Sequence, residues 1–352
     1  MPTPFPRPDR LLSGPSAWRG EQLSRSDQWI HEWTHAQIAD LEHALHSVRA
    51  GGRPLSSIGR EDCPLGSLAD TLDDLRAELL RGRGFVLMRG LDAARYTRKE
   101  IATLFWIIGA HLGRALPQNA EGHLLGHVKD LGRDAHDPTS RIYQTRERQG
   151  YHTDSADIVG LLCLQPAMEG GCSSLASAST IHNTLFESAP GLLAELFEPL
   201  CTDHRGEHGE GAKPYFTAPV LSWHERSLSV LYQRKYIESA QRFPDVPRLT
   251  ERQIAALDAF DRAADDPAIH LRMELQGGDI QFIHNHQMLH DRTAFRDWPE
   301  PGRSRHLLRL WLCPRDGRPL PSWFAERLHS TEPGQRGGVV LDGVEPGVSL
   351  SP

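Results

Sequence analysis

Three regions of this chain carry residues whose types and spacing could do chemistry together. In Tyr151-His152-Thr153-Asp154 an imidazole and a carboxylate stand two residues apart, just before the apolar run IVGLLCL that starts at Ile158. In GGDIQFIHNHQMLHDRTAF, residues 277–295, a short apolar segment is followed by His284, His286 and His290. In RSRHLLRLWL, Arg305 and Arg309 interrupt a strongly apolar run. Side chains alternate along a strand, so positions 305, 307, 309 and 311 share one face and both guanidinium groups point the same way. If that face is interior, two buried cations require anionic partners.

His152 and Asp154, two apart, share one side of a strand, and a distant histidine can complete a face of three ligands with positions left open. Two histidines and one carboxylate with open positions are the donor set of non-heme Fe(II) oxygenases. The buried arginines would bind carboxylates through the paired N–H geometry that lysine lacks. Taken singly the signals are weak. A His-x-Asp pair also suits a turn before a buried strand, and a histidine in an apolar strand is commonly a satisfied core residue. Two His and an Asp also hold zinc, which leaves a hydrolase of esters or amides as an alternative. A non-catalytic metal-binding jelly roll is another. The arginine pair argues against the hydrolase, which needs no dicarboxylate co-substrate.

The elements that must position these groups fall into two parts. Helical periodicity predicts helices over Thr34–Arg49, Ser67–Arg81 and Thr97–Leu112, with a short buried strand in Gly84–Leu91. Beyond about residue 115, short strand-like runs recur between Gly, Pro and Asp: IVGLLCL, SSLASAST, SVLYQRKY, MELQGGDIQFIHN, HDRTAF and RHLLRLWL. Helices are expected at Ile181–Phe197 and Thr250–Ala264. This pattern reads as mainly β with flanking α-helices, a sandwich or barrel and not an alternating βαβ sheet. One domain is expected over residues 1–330, with a proline-rich extended arm at the start and a flexible tail over 331–352.

The 352 residues suffice for a full core, and 39% hydrophobic with 24% charged residues is ordinary for a soluble protein. A net charge of −7 argues against nucleic acid or an anionic membrane surface as partner and is compatible with a small-molecule substrate. A homo-oligomer is left open. Cys63, Cys163, Cys172, Cys201 and Cys313 show no CxxC pairing and read as reduced thiols of a cytoplasmic protein.

The segments GFVLMRGL, YHTDSADIVGLLCLQPAMEGGCSSLAS, GDIQFIHNHQMLHDRTAFRDW and RHLLRLWL together resemble the taurine dioxygenase family, with its clavaminate-synthase-like members, over most of residues 84–323. The resemblance implies a double-stranded β-helix (jelly roll) core, and Fe(II), 2-oxoglutarate and O₂ as cofactor and co-substrates. It implies oxidation of a C–H bond (hydroxylation, desaturation or cyclisation) coupled to release of succinate and CO₂. The family's metal ligands fall on His152, Asp154 and His290, leaving His284 and His286 as structural or supporting groups. Arg305 matches the residue holding the distal carboxylate of 2-oxoglutarate, and Ser173 replaces a threonine that shares it. Arg309 matches the position that reaches an anionic substrate group. Related halogenases lack the carboxylate that Asp154 supplies, so halogenation is disfavoured. For the substrate, an amino acid, sulfonate or phosphonate is expected, with Asp157 as a candidate for a substrate amine. Gln118, Asn119 and Tyr236 are further candidate pocket residues.

Overall fold

The computed structural model describes residues 5–134, 141–209, 211–300 and 302–352. The first residues of the expected N-terminal arm, 1–4, lie outside them. From Phe5 onward the arm is irregular but tied down. The Phe5 ring meets Trp323 edge-on at 5.0 Å, and the Leu12 backbone exchanges two hydrogen bonds with the Asn183 amide.

Three helices come first: α1 (His35–Gly51), α2 (Leu68–Arg81) and α3 (Arg98–Leu112). Thr34 and Thr97 cap α1 and α3 through reciprocal capping boxes with Gln37 and Glu100. Ser67, by contrast, makes no side-chain cap. α3 is buried around much of its circumference because it lies against a sheet on one side and α1 and α2 on the other.

Two sheets form the core. The larger contains β1 (Ile30–Glu32), β2 (Phe85–Arg89), β3 (Arg114–Ala115), β4 (Leu125–Val128) and β6 (Ile158–Gln165), with β9 (Ile280–His284) and β11 (His306–Cys313). Its order is β1-β2-β9-β6-β11-β3, with β4 also paired to β11, and every pairing but β1–β2 is antiparallel. The smaller sheet contains β5 (Gln149–His152), β7 (Ser173–Ser177), β8 (Leu271–Met273) and β10 (Met288–Arg292), ordered β8-β7-β10-β5 and antiparallel throughout. This is the expected jelly-roll arrangement with flanking helices.

The period-2 pattern decides which residues reach the space between the sheets. Ile158, Leu162, Ile280, Phe282, Leu308, Leu310 and Leu312 pack towards the helices, whereas Val159, Cys163, Ile283, Leu307 and Trp311 face the second sheet. Gly160 sits where the helical layer presses closest. A Cβ there would lie 2.5 Å from the Phe282 ring and 3.2 Å from Phe105.

Several boundaries differ from the sequence reading. SSLASAST ends as a strand at Ser177, whose hydroxyl caps α4 (Ala178–Ser188); Pro190 then opens a separate short helix, α5 (Pro190–Glu195), so Ile181–Phe197 is not one helix. SVLYQRKY is strand only at its first two residues, the end of the strand Ser227–Val230, and Arg234 begins α6 (Arg234–Ala240). HDRTAF divides at Thr293–Ala294, and His290 lies inside β10 instead of opening a strand. α7 (Glu251–Ala264), capped by Thr250, matches its expected span. With α4 and α5 it packs over the outer side of the smaller sheet.

The C-terminal segment corrects the expectation of a flexible tail. The backbone N–H groups of Gly337, Gly338 and Val339 donate to Leu328, Ser155 and Pro117. Arg336 is 1% exposed and Val339 4%, so residues 331–352 are anchored on the core. The five cysteines are unpaired. Among the described residues no helix is long and apolar enough to cross a membrane.

Candidate active site

β5 and β10 are neighbours, and their register sets His152 directly opposite His290. The two rings lie 4.0 Å apart between centroids. Asp154 completes the group: Oδ1 is 3.9 Å from His152 Nε2, and Oδ2 is 3.7 Å from His290 Nε2. The three residues together present donor atoms all within 4.8 Å of one another.

Asp154 is not on the strand, which ends at His152. Its place is set by long-range bonds instead. Asn285 accepts from the Asp154 N–H at 2.8 Å and donates to the carbonyls of Asp154 and Ala156 at 2.6 and 2.8 Å. Trp311 Nε1 donates to Oδ2 at 2.9 Å, and Arg309 reaches the same oxygen at 3.3 Å. Oδ2 is thereby engaged, and Oδ1 is the oxygen turned towards His152.

Protonation states suit a cation. His152 Nδ1 donates to the Gly150 carbonyl at 2.8 Å, which leaves Nε2 with its lone pair. The Gln149 side-chain amide occupies that lone pair at 2.9 Å. Burial pushes the His290 imidazole down to about 3 and lowers His152 as well. Burial alone would raise the Asp154 carboxyl, but the charge of Arg309, the two imidazoles and the Trp311 N–H hold it below its usual range. Neutral imidazoles and an ionised carboxylate are the ligand forms a divalent metal needs. The donor set therefore fits Fe(II).

Two spaces flank this group. A narrow cavity is lined by His152, His290, Leu161, Ser173, Gln281, Arg305, Leu307 and Arg309, among others. Arg305 and Arg309 share the inward face of β11 and its approach, as alternation requires. Arg305 is 3% exposed, and its Nη1 has no hydrogen-bond partner. Burial pushes its guanidinium down to about 10, outweighing the nearby Asp297 carboxylate, which accepts from the Arg305 backbone N–H. Gly171 makes room for it: a Cβ there would sit 2.8 Å from Arg305 Nε. A buried guanidinium with an unfilled donor fits the distal carboxylate of 2-oxoglutarate.

The second space is a cleft of about 400 Å³ whose lining includes Gln118, Arg141, Tyr143, Asp154, Glu207, Tyr236, Arg309, Trp311 and Arg327. Arg309 lies between the Tyr143 and Trp311 rings, 4.8 Å from each centroid, and its Nε donates to Gln118 at 2.7 Å. Gln118 and Tyr236 thus reach the cleft, but Asn119 does not line it, since its amide closes a local turn with His123.

Asp157 requires a correction. It is 0% exposed, and both carboxylate oxygens accept from Arg336 Nε at 3.0 Å, with His286 Nε2 3.2 Å away. It lines neither space, so no substrate amine reaches it. His286 belongs to this buried ion pair and His284 lies beside it, away from the ligand group. Sequence reasoning missed Trp311, Asn285, Arg141, Glu207 and Arg327. Only Trp311 carried a readable signal, its even spacing from Arg309 on the inward face.

The model of the taurine catabolism dioxygenase TauD, TfdA family matches residues 51–311. The chain belongs to that family. FR-33289 synthase of Streptomyces rubellomurinus is 31% identical over 320 residues, covering 88% of this chain and 93% of the relative. Taurine hydroxylase-like protein SAT17 of Stachybotrys chartarum is 29% identical over 313 residues, covering 85% and 79%. Among solved structures, an asparagine oxygenase in complex with Fe(II), 3-hydroxyasparagine and succinate superposes with a TM-score of 0.61 at 15% identity, covering 81% of this chain and 93% of that one. As a TauD/TfdA family member the chain is an Fe(II)- and 2-oxoglutarate-dependent oxygenase.

Proposed function

We propose that this oxygenase hydroxylates an unactivated C–H bond of a small anionic or zwitterionic molecule seated in the arginine-lined cleft. The observation that carries the reading is the position of His152, Asp154 and His290 beside both spaces, one holding a buried arginine whose Nη1 is unfilled and the other open to a substrate-sized ligand. Bound iron, with 2-oxoglutarate and O₂, supplies the oxidising power and leaves succinate and CO₂.

The residues of the chain do the rest. His152 and His290 offer Nε2, and Asp154 offers Oδ1 while Trp311 and Arg309 hold Oδ2. Arg305 and Ser173 receive the distal carboxylate of 2-oxoglutarate, Arg305 through the donor that has no partner in the protein. Arg309, fixed between two aromatic rings and against Gln118, presents positive charge at the junction of the two spaces. Its stacking fixes that charge in place to orient an anionic substrate towards the metal. Asp154 fills a ligand position that a halide would need, which favours hydroxylation over halogenation. The relatives' names, taurine hydroxylase-like protein and asparagine oxygenase, refer to small zwitterions and support this size and charge class. The free thiols support a cytoplasmic location.

A succinate-formation screen over amino acids, sulfonates and phosphonates tests the proposal. The expected result is stoichiometric succinate and hydroxylated product from a member of one of these classes. Turnover only with uncharged compounds would overturn it.

A further inference from the structure

Beyond Arg309, the cleft holds a concentration of positive charge that the oxygenase chemistry does not use. Arg141 precedes a helical turn (Ile142–Gln144), Glu207 follows the strand Pro199–Asp203, Tyr236 lies on α6, and Arg327 lies in the turn Ala325–Leu328. These separate segments converge on one wall. Arg141 donates to Glu207 Oε1 at 2.6 Å and to the Tyr236 hydroxyl at 2.9 Å. Arg327 donates to Glu207 Oε2 at 3.1 Å. The three charged side chains are only 10–19% exposed.

Among the described residues of this wall, one carboxylate, that of Glu207, therefore serves two guanidinium groups. Elsewhere in the cleft the balance is reversed. Arg148 meets both Asp265 and Asp291, and Arg234 meets Glu238, Asp258 and Asp261. Among the described residues the excess positive charge is thus local to the Arg141–Arg327 pair. It is felt by His204 beside Arg327, where burial first and then the neighbouring cations push the imidazole down to about 4. Partly buried guanidinium groups in excess over carboxylates bind tetrahedral or planar oxyanions through paired N–H donors.

We propose that Arg141 and Arg327, bridged by Glu207 and backed by Tyr236, form an oxyanion-binding position for one end of the substrate, built by different segments from those that carry the metal ligands. The group it takes is a phosphonate, phosphate, sulfonate or carboxylate. Glu207 holds the guanidinium groups in place and limits affinity by competing for them, which allows product release. The inference rests on the oxygenase reading and narrows it to substrates with an oxyanion at the end remote from the bond attacked.

Calorimetric titration of the metal-free protein with propylphosphonate, propanesulfonate and butyrate tests the position independently of turnover. Wild type is expected to bind at least one probe, and the preferred probe identifies the head group. Arg141→Gln and Arg327→Gln should each weaken that binding at least tenfold. Arg327→Lys should recover part of it, and Glu207→Gln should tighten binding several-fold by removing the competing anion. No binding to wild type, or binding within twofold of wild type in both Arg→Gln variants, would overturn the position. In a parallel succinate assay, probes that bind as expected while no oxyanionic compound is turned over would leave the position standing and sink the proposed reaction. Turnover of an oxyanionic substrate unaffected by both Arg→Gln variants would sink the position alone.

Discussion

Arg336 and Asp157 form an ion pair with no exposed surface, joining the C-terminal segment to the loop that leads from the metal ligands into β6. Arg336 also donates to the carbonyls of Thr331 and Arg318, at 2.7 and 2.8 Å. Asp157 stands three residues after Asp154, and its own carbonyl accepts from the Asn285 N–H at 2.9 Å. The same Asn285 side chain clamps Asp154. The tail is therefore part of the scaffold that sets a metal ligand.

Replacing Arg336 should accordingly be costly. Arg336→Ala leaves a buried carboxylate without its cation, and breaking such a pair costs about 3–5 kcal/mol. Urea denaturation of the metal-free variant should show a loss of this size, and deletion of residues 331–352 should cost at least as much. A loss below about 1 kcal/mol would mean that the pair is not coupled to folding.

Acidification should weaken the fold in two stages. His127 Nε2 donates to the Ser349 carbonyl, so its Nδ1 accepts from His306 Nε2 at 2.9 Å and both rings are neutral. Burial, then the neighbouring charges, push His306 down to about 3. The unfolded imidazole titrates near ~6.5, so the unfolded chain binds more protons between the two values and stability falls as pH drops through that window, by at most about 1.4 kcal/mol per unit for this one group. Asp157 acts lower: its burial opposes ionisation, but His286 and Arg336 hold its carboxyl well below the ordinary range. Its contribution is complete above ~4, the unfolded value, and is lost as pH falls towards the folded one. Denaturation of wild type and His306→Asn from pH 7 to 4 should give a shallower slope in the variant above pH 4.

Much of the site was legible because alternation along a strand is a local rule. Arg305, Arg309 and Trp311 face the same way for that reason, whereas spacing left the third histidine open and only the family resemblance pointed to His290, which the structure brings together with His152 and Asp154. What stayed hidden depends on pairings far apart in the chain. Asp157 was open to a substrate role until Arg336, 179 positions away, was seen to fill it. The Gly- and Pro-rich composition of residues 331–352 described the average of the segment and missed the two side chains, Arg336 and Val339, that anchor it. Asn285 was overlooked between two histidines because its three bonds run to backbone groups more than a hundred residues away. The wall made by Arg141, Glu207 and Arg327 comes from irregular segments, where no periodicity tells which side chains converge.

Arg305 should show opposite effects on folding and on ligand binding. Its guanidinium is buried with one donor unfilled, so Arg305→Met removes an uncompensated charge. The ligand-free variant should be as stable as wild type or more so, since apolar replacement of buried charge is often neutral or stabilising. Binding of 2-oxoglutarate should fall by two to three orders of magnitude, consistent with a loss of about 3–5 kcal/mol for a broken buried pair. Thermal melting and anaerobic titration of the Fe(II)–2-oxoglutarate charge-transfer band measure the two separately. Unchanged 2-oxoglutarate affinity would mean that the carboxylate sits elsewhere.

Trp311 tests whether the second oxygen of Asp154 must be held. Its indole N–H donates to Oδ2 at 2.9 Å, and the ring also stacks on Arg309. Trp311→Phe keeps an aromatic face for Arg309 and removes the donor. Loss of a group that orients a metal ligand typically costs 10–100-fold in metal affinity or activity. Fe(II) affinity should fall within that range in Trp311→Phe, while Asp154→Ala or His290→Ala should abolish the charge-transfer band outright. Equal Fe(II) affinity in Trp311→Phe and wild type would show that Arg309 and Asn285 alone fix the carboxylate. In that case the aromatic residue on this face would serve only to shape the cleft.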